Sequence, residues 1–169
     1  MTAGIEVGIV LARGDLAAWS AEVHAAGQTI GFTNGCFDLV HSGHLASLTQ
    51  AAAAADHLVV ALNSDASVRD LKGLGRPILP EQDRARLIAA LRPVSAVTIF
   101  DEPTPLECIL LIRPDVLVKG SEYQEDDIVG AAEVKSWGGR VVRVPMVPGW
   151  STSRIIASIR KIPDGGGPS

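Results

Sequence analysis

The sequence predicts a three-layer α/β domain in which a mainly parallel sheet of five strands lies between two layers of helices. Two observations carry this. Apolar runs of strand length alternate with helix-period segments almost from end to end, the order that links parallel strands through helical crossovers. His57 to Leu62, HLVVAL, is moreover an unbroken apolar run, as a strand covered on both faces requires.

The elements follow in order. Leu16 to Ala26 is a first helix, with Asp15 in position to cap it. Thr29 to Thr33 is a strand, followed by a glycine-containing turn and a helix from about Gly43 to Ala55. After the His57 strand, a short helix from Ser64 to Leu71 leads into a Gly/Pro-rich loop, Lys72 to Pro80. Glu81 to Leu91 is helical, Ala96 to Phe100 a strand and Pro105 to Ile112 a helix. Val116 to Val118 makes the fourth strand and runs into Lys119 and Gly120. Ile128 to Trp137 is a helix and Arg140 to Val144 the fifth strand. The last helix starts near Ser151 and ends at about Lys161. One domain over residues 1–162 is expected, with Pro163 to Ser169 as a disordered Gly/Pro-rich tail.

Composition narrows the function classes. At 169 residues with 47% apolar and 20% charged content, the chain can bury a real core. A net charge of −4 offers no basic surface to nucleic acid or an anionic membrane. A small anionic ligand needs only a few local cations and stays open. Cys36 and Cys108 are too few for a disulfide framework and match no zinc spacing, so both are expected as reduced thiols in the cytoplasm. The apolar stretch Ile5 to Ala12 is interrupted by Glu6, is too short to span a bilayer, and lacks a signal-peptide layout.

In open α/β sheets, ligands bind beyond the carboxyl ends of the strands near the switch in strand order. Four polar clusters fall there: Thr33 to His44, Asn63 to Asp65, Lys119 to Tyr123, and the start of the last helix. The strongest signal is FTNGCFDLVHSGHLASL, residues 32–48. Gly35 follows a strand and permits close backbone approach to a ligand. His41 and His44 flank a helix start, where they can face one bound group. Gly43 between them leaves room for phosphate at the helix N-terminus, whose free N–H groups and dipole favour anions. Two imidazoles there would stabilise charge developing on a transferring phosphate. Helical metal pairs usually sit four apart with further ligands, which this chain lacks.

The segment GCFDLVHSGH resembles the signature of the H-x-G-H nucleotidyltransferases, the cytidylyltransferase-like superfamily of Rossmann-like folds. Within it, ALNSDASVRDLKGLGRPI at 61–78, RPDVLVKGSEY at 113–123 and STSRII at 151–156 are similar to the bacterial D-glycero-β-D-manno-heptose 1-phosphate adenylyltransferases. The resemblance runs from about Ile9 to Ile162. It implies transfer of AMP from ATP to a sugar 1-phosphate, by in-line attack of the acceptor phosphate on the α-phosphorus.

The resemblance also implies roles. His41 and His44 would contact the triphosphate. Thr33, Asn34 and the turn Gly35, Cys36, Phe37 would hold the nucleotide, with Asp38 ordering the loop or simply capping it. Lys72 would be a cation closing over the phosphates, with Arg76 and Arg84 as helpers, although exposed cations are ordinarily solvated surface. Asn63 and Asp65 would border the site, or cap the helix that follows together with Ser64. Lys119 and Gly120 resemble a family K-G pair, but Ser121-Glu122-Tyr123 follows where G-D-Y is common, which bears on the acceptor. Ser151, Thr152 and Ser153 would cap the last helix and cradle the β- and γ-phosphates. Trp150 stands before them where relatives often carry a polar or basic residue. Mg2+ would accompany ATP, held by phosphates and water. A homodimer is implied, and a stand-alone transferase without the sugar-kinase domain of many relatives. Rival readings are a cytidylyltransferase acting on glycerol 3-phosphate or an aminoalcohol phosphate, a flavin-type adenylyltransferase, and a nucleotide-binding regulatory module.

Overall fold

A computed structural model describes residues 7–145 and 147–162. Over these residues the chain forms one parallel sheet of six strands in the order β1-β4-β3-β2-β5-β6. The strands are β1 (Ile9–Val10), β2 (Ile30–Gly35), β3 (His57–Asn63), β4 (Ala96–Phe100), β5 (Val116–Gly120) and β6 (Arg140–Val144). The helices are α1 (Leu16–Ala25), α2 (Ser42–Ala52), α3 (Asp65–Lys72), α4 (Glu81–Ala89), α5 (Leu106–Ile112), α6 (Ala131–Ser136) and α7 (Thr152–Ile159).

The sheet thus has one strand more than the five expected. The addition is β1, whose Ile9 and Val10 pair with Ala96 and Val97 at the sheet edge. Two half-exposed residues give no period from which a strand could be read. Asp15 also differs from expectation: it ends a 3₁₀ turn, and its side chain makes no capping hydrogen bond to α1. The expected tail, residues 163–169, lies outside the described residues.

Strand β3 explains the three layers. From Leu58 to Asn63 it is buried without a break, so alternate residues serve opposite faces. Val59 and Ala61 join Leu16, Phe32, Ile109 and Val134 under α1, α5 and α6. Leu58, Val60 and Leu62 join Leu48, Ile88 and Val118 under α2 and α4. The chain steps from β2 to β3 to β4 in one direction and then returns to β5 on the other side of β2. This reversal opens a crevice beyond the ends of β2 and β5, where the polar clusters lie. No helix among the described residues is long and apolar enough to cross a membrane.

Candidate active site

The crevice is a cleft of about 500 Å³. Its floor begins where β2 ends: Asn34, Gly35, Cys36 and Phe37 line it, and the chain then turns through left-handed φ at Phe37 and Leu39 to reach α2. Such backbone persists only where neighbours hold it. Here the buried Asp38 carboxylate accepts from Arg76 Nε at 2.7 Å, Ile78 N at 2.8 Å and Leu79 N at 3.1 Å. Burial would raise its pKa, but those N–H groups and the guanidinium hold it below the usual carboxylate range. Asp38 therefore orders the loop, and Arg76 reaches the cleft wall already tied to it.

His41 caps α2 itself: its Nδ1 accepts from His44 N at 3.3 Å. In the neutral ring that leaves the proton on Nε2. The His41 and His44 rings stack with centroids 3.8 Å apart. The stack is close because residue 43 is glycine. A Cβ there would lie 3.0 Å from the His41 ring and 3.0 Å from the Trp150 Cβ. Burial holds His44 down to about 4, with His41 adding to the shift and Asp38 opposing it. Burial lowers His41 as well. In the free protein both imidazoles are therefore neutral N–H donors at neutral pH, and an arriving phosphate would draw protons onto them.

Opposite α2, the N-terminus of α7 enters the same cleft with Ser151, Thr152 and Ser153. Ser151 Oγ accepts from Arg154 N at 3.2 Å, the expected cap. Thr152 Oγ1 donates to Asp38 O at 2.5 Å, so one loop joins both helix starts. Asn63 and Lys72 border the cleft on the β3 side.

Arg84 corrects the sequence reading most sharply. It is no helix-surface charge but a fully buried side chain, 0% exposed. Its Nε donates to Leu79 O at 3.0 Å, and Nη1 donates to Cys36 O at 2.6 Å and Asn63 O at 2.8 Å. Its Nη2 pairs with Asp65 at 2.8 Å. Asp65 is thereby engaged beneath the site and does not line the cleft. Ser64 caps α3, its Oγ accepting from Ser67 N at 3.2 Å. Of the two readings open for this cluster, Asn63 takes the cleft border and Ser64 the helix cap, while Asp65 serves the Arg84 brace.

Lys119 sits at the end of β5, hydrogen-bonded to Asn34 Oδ1. Burial brings its ammonium down to about 8, partly countered by Glu122. It also lines a second hollow of about 240 Å³, where Thr33, Gly120 and Glu122 are found. Glu122 folds back so closely that a Cβ on Gly120 would lie 2.5 Å from its Oε1. Cys36 has its thiol pushed up by burial, so it stays protonated. Among the described residues, no group of three or more His, Cys, Asp or Glu side chains is arranged to hold a metal ion. Sequence reasoning did not single out Ser47, Leu71, Phe100, Pro103, Pro105 or Val147 as lining. Apart from Ser47, these are apolar or proline residues with no chemistry to flag them.

The family model described as Cytidylyltransferase-like matches residues 32–158, from β2 through most of α7. The chain belongs to the cytidylyltransferase-like family. It is 57% identical over 133 residues to the bifunctional protein HldE of Methylobacillus flagellatus, covering 79% of this chain and 27% of that protein. It is 54% identical over 147 residues to the bifunctional protein HldE of Koribacter versatilis, covering 87% and 30% respectively. The chain thus spans less than a third of the length of these relatives. Among solved structures, it is similar to a lipopolysaccharide core biosynthesis protein from Thermoplasma volcanium, with TM-score 0.60, 24% identity, and coverage of 72% of this chain and 98% of that one. It is also similar to the pantoate-β-alanine ligase of Francisella tularensis, with TM-score 0.62, 14% identity, and coverage of 92% and 77%. At those identities the structures speak for the fold alone. As a member of this family, the chain is a nucleotidyltransferase with a Rossmann-like parallel sheet.

Proposed function

We propose that this nucleotidyltransferase moves AMP from ATP to D-glycero-β-D-manno-heptose 1-phosphate, forming ADP-heptose and pyrophosphate by in-line displacement. One observation carries the chemistry: two helix N-termini, α2 and α7, face a single cleft with stacked His41 and His44 between them. Each terminus offers unpaired N–H groups and a positive dipole end, so a polyphosphate bridging them is favoured at both ends. The acceptor assignment is supported by the motifs at 61–78 and 113–123 and by the identity to HldE proteins.

In this reading His41 Nε2–H and the His44 imidazole donate to the phosphoryl oxygens as charge shifts toward the leaving pyrophosphate. Ser151, Thr152 and Ser153 hold the far phosphates. Lys119 and Lys72 supply positive charge from opposite sides, and Asn34 steers the Lys119 ammonium. The acceptor phosphate is already anionic and needs no strong base, and the protonated Cys36 thiol takes no covalent part. Mg2+ enters as part of the nucleotide substrate, held by phosphate oxygens and water. The nearest buried carboxylate, Asp38, is already committed to three donors. We further infer a cytoplasmic homodimer, which light scattering on the purified chain tests.

The test is pyrophosphate release with magnesium, pairing ATP, CTP, GTP and UTP with the heptose 1-phosphate and with glycerol 3-phosphate. Turnover with ATP and the heptose phosphate alone is the expected outcome. Turnover with CTP or with glycerol 3-phosphate would keep the mechanism and overturn the substrates. Binding of nucleotide with no turnover on any acceptor would favour a regulatory module.

A further inference from the structure

The aromatic stack in the cleft does not end at the histidines. Trp150 lies against His41 with ring centroids 6.1 Å apart and planes inclined by 22°. His44, His41 and Trp150 therefore form three successive, nearly parallel rings. Trp150 immediately precedes the α7 cap, and its Cβ abuts Gly43 in the first turn of α2, so it bridges the two helix starts. It is 50% exposed and lines the cleft. An indole with one face on an imidazole and half its surface in solvent, at the mouth of a polar cleft, has an unfilled partner position.

The two sides of the cleft differ in what they can receive. On the β3 side stand Asn63, Lys72 and Arg76 together with Leu71 and Phe100, so that wall mixes charge with apolar surface. Just before α7 stand Val147 and Trp150, apolar and aromatic and suited to a flat ring, and Tyr123 beside Lys119 lines the same cleft. A nucleotide whose phosphates lie between the two helix starts can place its base on Trp150, the half-exposed ring beside them.

We propose that Trp150 is the stacking platform for the nucleobase and that it biases this chain toward purine over pyrimidine nucleotides. The bias follows from overlap: a two-ring base covers more of an indole than a one-ring base does, and base–aromatic stacking otherwise tolerates any base. This rests on the reading that the cleft binds a nucleoside triphosphate. It does not depend on which sugar phosphate is the acceptor.

The test measures binding of ATP and CTP to the full chain by calorimetry with no acceptor present, in wild type, Trp150→Ala and Trp150→Phe. Alanine keeps the Cβ that packs on Gly43, so the helix contact survives. The expected result for Trp150→Ala is an ATP affinity lower by about tenfold, the size of one stacking contact, and a CTP affinity lower by less. Phenylalanine should recover most of the loss. Tryptophan fluorescence gives a second readout. ATP should quench wild type and not Trp150→Phe, because Trp19 and Trp137 pack on the core beneath α1, α5 and α6. Equal losses for ATP and CTP, or a slower turnover with unchanged affinities, would reduce Trp150 to a prop for His41 and overturn the proposal. A wild-type chain that binds neither nucleotide would instead overturn the nucleotide reading itself.

Discussion

The two helix starts that face the cleft are built alike and seated differently. Each is capped by its own side chain, His41 Nδ1 at α2 and Ser151 Oγ at α7, and each presents small or polar residues to the cleft. Helix α2 buries Gly43, Leu48 and Ala51 and leans on β2 and β3 through the core. Helix α7 buries none of its residues. It is tied to the site by Thr152 on Asp38 O, and through it to a loop held by Arg76 and Arg84. Identical local devices thus differ in what fixes them: packing for one, a chain of hydrogen bonds for the other. A cleft with one anchored wall and one tethered wall can hold His41 and His44 rigid while the opposite wall adjusts to a ligand.

Four measurements probe this contrast. The largest effect is expected from Arg84→Met, which strands the Cys36 and Asn63 carbonyls and the Asp65 carboxylate. Breaking a buried charged pair costs about 3–5 kcal/mol. Chemical denaturation should show that loss, and an unchanged midpoint would mean the brace is dispensable. Next is His44→Ala at the anchored wall. Turnover should fall by about 10² to 10³, the usual size for one preorganised donor, with the circular dichroism spectrum preserved. Near-normal turnover would remove the α2 start from the chemistry.

At the tethered wall the effects are smaller. Thr152→Val removes one hydrogen bond, about 1 kcal/mol. It should raise KM for ATP by up to about fivefold with little change in melting temperature. A large drop in melting temperature would show that α7 is seated as firmly as α2. The smallest effect is with pH. Lys119 titrates near 8 because burial disfavours its charge, so its positive charge is present below that value and lost above it. Ligand affinity should weaken a few-fold as pH rises through this region, and Lys119→Arg should abolish that limb. The histidines titrate below their ordinary value, so no matching loss is expected on deprotonation near neutrality. A steep gain in kcat/KM on acidification through pH 6 to 7 would show that the imidazolium forms are the working ones.

The comparison also separates what can be read locally from what cannot. The grouping of His41, Gly43 and His44 around one helix start, and of Ser151 at another, was legible because a helix start is marked within one turn. The apolar run of β3 was legible because burial on both faces leaves an unbroken pattern. Strand β1 was not, since two residues paired at an edge carry no period. Arg84 was not, because an arginine on a helix has the same sequence signature whether it faces water or four acceptors. Asp65 followed it, its carboxylate taken by a partner nineteen residues along the chain.

What the sequence carried was the parallel α/β architecture, helix starts near Gly43 and Ser151, and the residue types gathered at those starts. These rest on periodicity, capping and helix dipoles, which are short-range. The tertiary structure alone decided which charges meet the cleft and which brace it. It also set the low proton affinities of His44 and Lys119 and the stacking of Trp150 on His41. Those depend on burial and on side chains brought together from distant strands, and desolvation and ring packing exist only once the sheet has closed over its core.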